Sequence, residues 1–432
     1  MRKVVIGLVG VLFLLVLAVL FGVDWLRSQT PITMAARFET NLSKQLVEPP
    51  STPNPEVPDS LYQRVEYDGP KGKLWGWMSR PPADQQRHPA IVWIAGGFPP
   101  AGFPDGAWLE QDPANDQSAA QYMRAGVITL YPTTRGMGGN PGPQESFVGE
   151  VSDVVSAVQW LRAQPSVDPE RVYVGGHSTG GTLALLVGAS TEVAGTISFG
   201  PVDEVSLYPP EFLAFDPSDN RECIIRAPMT YATNFRRAVH VEGEWSPNSG
   251  GVRAMGREKP AKNASYVVIP KADHFFYVGA MNELFAQKLA KGEPMTLTVQ
   301  EATAAMDRKF PATTIESPEG WRLTVPAGYS ESPGEDVAER FFKNAISMHL
   351  RVATDEESPV NCEQENAVSA RTGECFVVES QTDEDGSEMI FASAQRGSSL
   401  FVTIMGPKSQ ERALLAELNA VLDTAKPPAV GH

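Results

Sequence analysis

The segment Arg171-Val-Tyr-Val-Gly-Gly-His-Ser-Thr-Gly-Gly-Thr-Leu-Ala-Leu-Leu-Val187 constrains this chain more tightly than any other. Its first residues are β-branched and aromatic, its last are continuously apolar, and Gly-His-Ser-Thr-Gly stands between them. That order predicts a strand, a tight turn and a buried helix, with Ser178 at the apex. A serine on such a turn sits in a strained backbone conformation, and Gly176 and Gly180 leave room where side chains would strike the neighbouring strand or helix. Glycines flank serines in ordinary loops too, but such loops rarely lie between a strand and an apolar helix. Ser178 is therefore expected to be a nucleophile. His177 is expected to be a packing neighbour, because its side chain should project away from that of Ser178.

Serine is a poor nucleophile near neutral pH, so a base must take its proton. The chain has six histidines. His88, His177, His240, His349 and His432 have unremarkable settings in loops, strands or the terminus. His274 differs: it follows the apolar run Val267-Val-Ile-Pro270 in a loop just before a helix, downstream of Ser178. The acid that would orient its imidazole should follow an intervening strand. The segment Arg237-Ala-Val-His-Val-Glu-Gly-Glu-Trp-Ser-Pro247 offers Glu242 and Glu244 there, and no aspartate. Glu244 is favoured because it lies past the glycine, in the loop; Asp203, after the preceding strand, is the outside candidate. Each could equally be a solvated surface charge. For the developing oxyanion, backbone amides are needed. Thr179 would supply one, and Phe98 or Gly97, in the glycine turn Ala95-Gly-Gly-Phe-Pro-Pro100, the other.

Around this segment, eight short strand-like runs alternate with helical stretches: 63–67, 73–79, 90–95, 127–131, 171–175, 195–199, 238–242 and 265–269. Ile91-Val-Trp-Ile94 lacks alternation, as expected of a strand covered on both faces. Val151, Val154, Val155, Val158 and Leu161 form one helical stripe. The pattern predicts an α/β fold with a mostly parallel sheet flanked by helices over residues 62–292. A linker is expected over 293–312. From Thr313 the character changes to further strands and a terminal helix, 409–424, which predicts a smaller α+β domain over 313–426.

A net charge of −16 with no basic cluster argues against nucleic acid as a partner. The three cysteines lack the spacing of a zinc or iron–sulfur site, and no cofactor is expected. Met1-Arg-Lys3 precedes an uncharged apolar run, Val4 to Val23, long enough to cross a bilayer, which takes roughly 20 residues. No small-x-small cleavage site follows it. Residues 1–27 are thus expected to be a signal anchor, a transmembrane helix with its basic end in the cytoplasm and the rest of the chain exported. Residues 28–61, with the prolines of Glu48-Pro-Pro-Ser-Thr-Pro-Asn-Pro-Glu-Val-Pro58, read as a linker. In an oxidising compartment Cys362 and Cys375 could pair.

Taken together, Trp93-Ile-Ala-Gly-Gly-Phe98, Pro132-Thr-Thr-Arg-Gly136, Val167-Asp-Pro-Glu-Arg-Val-Tyr-Val-Gly-Gly-His-Ser-Thr-Gly-Gly181 and Ala272-Asp-His-Phe-Phe276 make residues 62–292 resemble the catalytic domains of prolyl-oligopeptidase-like and dienelactone-hydrolase-like α/β-hydrolases. The resemblance implies the α/β-hydrolase fold and a serine hydrolase that cleaves a small-molecule ester or peptide through an acyl-enzyme. Two departures stand out. The family's usual aspartate would fall on Ser246, and no β-propeller precedes the domain. Pro318-Glu-Gly-Trp-Arg-Leu-Thr-Val-Pro326 resembles the opening of PsbP-like sandwich domains, which implies no activity of its own but leaves that domain as a surface for a protein partner. An exopeptidase, and a non-catalytic binding protein on the same scaffold, are the competing readings.

Overall fold

The computed structural model describes residues 40–46, 57–99, 102–103 and 106–316, and then the segments 322–325, 330–331, 339–343, 346–352, 367–369, 375–382, 388–396 and 400–426. The apolar run 4–23 and Cys362 lie outside the described residues, so the expected anchor and disulfide do too. Among the described residues no helix is long and apolar enough to cross a membrane. The chain divides into two compact units. One contains the residues up to Gln111, Gln117–Ile269 and Asn282–Val299; the other contains Asp112–Asp116, Pro270–Met281 and the residues from Gln300 onward.

The first unit is built on eight strands: β1 (Tyr62–Gly69), β2 (Gly72–Ser79), β3 (His88–Ile94), β4 (Ile128–Pro132), β5 (Val167–His177), β6 (Thr196–Phe199), β7 (Ala238–Gly243) and β8 (Ser265–Ile269). Each contains or overlaps one of the eight runs legible in the sequence. Their order is β1-β2-β4-β3-β5-β6-β7-β8, antiparallel from β1 through β2 to β4 and parallel from β4 to β8. Ile91, Val92, Trp93 and Ile94 are all buried, as are all of β6 and β7. Two covered faces leave no solvent side, so these strands read as unbroken apolar runs.

Helices α1 (Ala120–Arg124), α2 (Val148–Arg162) and α3 (Thr179–Ser190) follow the chain through this unit. On α2, Val151, Val154, Val158 and Leu161 are buried in the core, while Val155 is partly exposed beside it. The polar Asp153 on the same helix is also buried. It receives Arg135 through both ends of its carboxylate, Nε to Oδ2 at 2.9 Å and a second guanidinium nitrogen to Oδ1 at 2.8 Å, while the remaining guanidinium nitrogen meets Glu145 Oε1 at 2.6 Å. A fork matched to a carboxylate in this way satisfies a charge that could not otherwise be buried.

Between β6 and β7 the chain forms a cap of 3₁₀ turns and two short helices, α4 (Asn220–Arg226) and the single turn Pro228–Tyr231. Arg226 is fully buried beside Glu222 at 2.6 Å and lies over the ring of Phe215 at 4.3 Å. Its Nε donates to the Ser146 carbonyl at 2.9 Å, which ties the cap to the turn before α2. That turn holds two residues other than glycine at positive φ, Ser146 at 52° and Phe147 at 83°. Within the stretch read as a linker, Thr40–Leu46 runs against the same cap: Leu42 bridges Phe215 and Leu46 bridges Gln144, both antiparallel. Helix α5 (Ser249–Glu258) then precedes β8, and α6 (Val278–Lys291) follows it.

In the second unit, the stretch expected to be a linker holds helix α7 (Val299–Lys309), whose Ala302, Ala305 and Met306 make a buried stripe at helical spacing. After β9 (Thr313–Glu316) and β10 (Arg322–Val325), which pair antiparallel, comes a seven-stranded antiparallel sheet. Its central strands include β13 (Ile346–Val352), β16 (Glu388–Arg396) and β17 (Leu400–Pro407), with β11 (Ser330–Glu331), β12 (Glu339–Lys343), β14 (Ala367–Ser369) and β15 (Cys375–Thr382) toward the edges. Ile390, Ala392 and Ala394 alternate on β16 and pair with Gly406, Ile404 and Val402. The final helix, α8 (Glu411–Thr424), packs on β16 and β17 and buries Leu414, Leu418, Val421 and Leu422. This is an α+β arrangement with one helix on one face of an antiparallel sheet.

Candidate active site

Ser178 stands between the last residue of β5 and the first of α3, at φ 57° and ψ −123°. A residue with a side chain rarely adopts this backbone, and here the surroundings enforce it. A Cβ on Gly176 would sit 2.5 Å from the carbonyls of Ile94 and Gly180, and one on Gly180 would sit 2.1 Å from the Ile94 carbonyl. Nothing larger than hydrogen fits at either position. The Ser178 N–H donates to the Phe199 carbonyl at 2.8 Å, and the Ser178 carbonyl accepts from Thr182 at 3.0 Å, so the turn is closed at both ends. His177 is buried in the strand end, as its expected packing role requires.

The loop after β3 lies directly against this turn. A Cβ on Gly96 would come within 3.2 Å of Ser178 Cβ, and Gly97 is held at φ +97° with open space where a side chain would be. The Thr179 hydroxyl donates to the Gly97 carbonyl. Thr179, Gly97 and Phe98, the residues expected to supply main-chain N–H groups, are thus brought beside Ser178.

An aromatic group covers that loop. Phe98 stacks on Phe212 with centroids 4.8 Å apart and planes 4° apart, and meets Tyr208 edge-on at 5.1 Å. Tyr208 in turn stacks on Phe147 and shares a 2.7 Å hydrogen bond with Thr182 Oγ1, one turn after Ser178. Burial pushes the Tyr208 phenol up, the bond to Thr182 offsets part of this, and the Glu242 charge adds to the rise. None of these rings except Phe98 was singled out from the sequence. The part of the cap that carries Tyr208 and Phe212 is made of 3₁₀ turns with no period to read.

The acid candidates differ sharply in setting. Glu242 is the fifth residue of β7 and is fully buried; its Oε1 accepts the Gly243 N–H at 2.7 Å. Glu244 lies in the following turn and is exposed, with its N–H donating to the Ile269 carbonyl at 2.9 Å. Asp203 lies after β6, half-buried, its Oδ1 only 2.6 Å from where a Cβ on Gly251 would be. Ser246, where the resembled families carry their aspartate, is buried.

His274 occupies the loop between β8 and α6, partly exposed, with its ring edge-on to Phe275 at 4.8 Å. Asp273 shapes this loop by accepting from the N–H groups of Phe275 and Phe276 at 2.8 and 2.9 Å. Lys271, at φ 56°, pairs with Glu417 of α8 at 2.7 Å, and Phe276 stacks on Phe310 at 4.3 Å. These contacts explain why Pro270–Met281 groups with the C-terminal residues.

Among the described residues no cluster of histidine, cysteine or carboxylate side chains could hold a metal ion. Residues 140–240, which include the elbow, match the family model described as alpha/beta hydrolase fold. That stretch therefore carries the α/β-hydrolase fold. Several solved structures resemble the chain over part of its length. An esterase from the archaeon Pyrobaculum calidifontis is 19% identical and covers 54% of this chain and 87% of its own, with a TM-score of 0.41. Carboxyl esterase 2 from the mycorrhizal fungus Tuber melanosporum is 17% identical over 60% of this chain and 98% of its own, at 0.42. The acylaminoacyl peptidase of Pyrococcus horikoshii is 15% identical over 55% of this chain and 42% of its own, at 0.43.

Proposed function

We propose that this chain cleaves a small ester through an acyl-enzyme on Ser178, with His274 as general base. The observation that carries the reading is the Ser178 backbone, strained on a turn that only glycines can flank. In the proposed reaction Ser178 Oγ attacks the acyl carbonyl as His274 takes its proton. The N–H groups of Thr179 and of Phe98 or Gly97 stabilise the oxyanion, and the leaving group departs with the proton from His274. Water then repeats the sequence on the acyl-enzyme and frees the acid. Burial favours Glu242 over Glu244 as the acid, since a carboxylate shielded from solvent interacts more strongly with an imidazolium than an exposed one. The resemblance to prolyl-oligopeptidase-like domains keeps an aminoacyl substrate as the second reading.

The PsbP-like C-terminal unit serves, on this reading, as a docking surface, and the apolar run 4–23 anchors the enzyme with its catalytic unit outside the cytoplasm. Turnover of purified protein on a series of acyl esters and aminoacyl amides, with Ser178→Ala as control, tests the chemistry. Ester turnover that vanishes in the variant is the expected result. Turnover restricted to aminoacyl amides would establish the peptidase instead. Protease accessibility in intact spheroplasts tests the topology, and a protected catalytic unit would refute it.

A further inference from the structure

We infer that the strap of residues 40–46 braces the cap beside the substrate site, and that Lys44 sets acyl-chain specificity by positioning Phe212 over the oxyanion loop. This rests on the esterase reading of Ser178. The strap is stitched to two places at once. On the cap side, the N–H groups of Ser43 and Lys44 donate to the Ala214 carbonyl at 2.8 and 3.3 Å, and Lys44 Nζ donates to the carbonyls of Pro210 and Glu211 at 2.9 Å each. On the other side, the Leu46 carbonyl accepts from Gln144 at 2.9 Å. Ala214 completes the stitch by donating its own N–H to Ser146 Oγ at 2.7 Å.

The consequence falls on one side chain. Pro210–Phe212 is a single 3₁₀ turn, which is too short to hold itself, and the Lys44 ammonium binds two of its three carbonyls. The third residue of that turn is Phe212, whose ring lies flat on Phe98. Phe98 is next in sequence to Gly97, which Thr179 holds beside the nucleophile. Phe212 is 44% exposed, so the stack presents open apolar surface over the oxyanion loop. Such a platform suits the alkyl or aromatic part of an acyl group: a long chain would lie along it, whereas an acetyl group would end before reaching it.

The test uses the full-length chain and p-nitrophenyl esters from acetate to octanoate. Lys44→Met keeps the alkyl stem and removes the ammonium; Lys44→Arg keeps the charge. For Lys44→Met the expected result is a KM for octanoate raised about 3- to 10-fold, with kcat little changed, acetate turnover unaffected, and Lys44→Arg close to wild type. Phe212→Ala should reproduce the octanoate effect, and the double variant should add nothing further, because both changes release the same ring. An equal loss on acetate and octanoate, or additive effects of the two substitutions, would overturn the assignment. If Lys44→Met fails to fold, Phe212→Ala alone decides by the same chain-length criterion. Reaction of wild-type Ser178 with a fluorophosphonate separates the two levels: labelling with no chain-length effect refutes only the strap, and no labelling refutes the esterase reading on which it rests.

Discussion

The Thr179 hydroxyl donates to the Gly97 carbonyl and so ties the residue after Ser178 to the loop after β3. Two segments that are 82 positions apart thereby share one hydrogen bond at the place where an oxyanion would form. Thr179→Val keeps the helix start and its N–H but removes the tie. Turnover should fall by about 10- to 100-fold with KM nearly unchanged, since only the transition state uses that geometry. Steady-state kinetics on one ester checks this, and a variant with unchanged kcat would mean that the loop is held by other contacts.

Gly180→Ala should be far more damaging than its size suggests. The added methyl would sit 2.1 Å from the Ile94 carbonyl and 2.6 Å from that of Ala95, main-chain atoms at the end of β3 and the start of its loop. Relief needs a shift of β3 against α3, so a loss of at least about 3 kcal/mol is expected, measurable by urea unfolding.

For the acid, Glu242→Gln should cost more activity than Glu244→Gln or Asp203→Asn, by up to about 10⁴-fold if it alone orients the base. This reverses the order suggested by the sequence, where position in the loop favoured Glu244. The distinction was illegible because burial cannot be read from Val-Glu-Gly-Glu. Kinetics of the three variants decides the order, and a crippling Asp203→Asn would place the acid after β6.

Two buried groups predict how stability follows pH. Burial pulls the His240 imidazole down to about 3 from an ordinary 6.5, between the rings of Phe235 and Tyr266 and with no hydrogen-bond partner among the described residues. The unfolded chain takes up this proton first, so stability is lost as pH falls from about 6.5 toward 3. Burial pushes the Glu150 carboxyl in the other direction, to about 7 from 4.5, and there the folded state holds the proton longer, so stability is lost as pH rises through that range. His240→Phe should flatten the acid limb and Glu150→Gln the limb up to pH 7, each by as much as about 1.4 kcal/mol per pH unit. Urea melts across the pH range read both slopes, and unchanged slopes would show that neither group stays in its buried form.

Much of the catalytic unit is legible in the sequence because its signals are local. The eight strands announce themselves as short β-branched runs, and the elbow does so because steric crowding admits only glycine at two fixed offsets from Ser178. What stays hidden is non-local. Arg135 and Asp153 are 18 positions apart, and nothing in either neighbourhood predicts their fork. The cap lacks periodicity, so Tyr208 and Phe212 could not be assigned to the site. The strap reads as linker because its contacts are made by main-chain groups and one lysine, and Val299–Lys309 was passed over because its buried stripe is mostly alanine.

Mass spectrometry of the protein after reaction with a fluorophosphonate decides whether Ser178 is the nucleophile. A single adduct is expected on the peptide containing Ser178, absent from Ser178→Ala and strongly slowed in His274→Ala, with ester turnover lost in parallel. An adduct on any other residue, or ester turnover that survives in Ser178→Ala, would contradict that assignment.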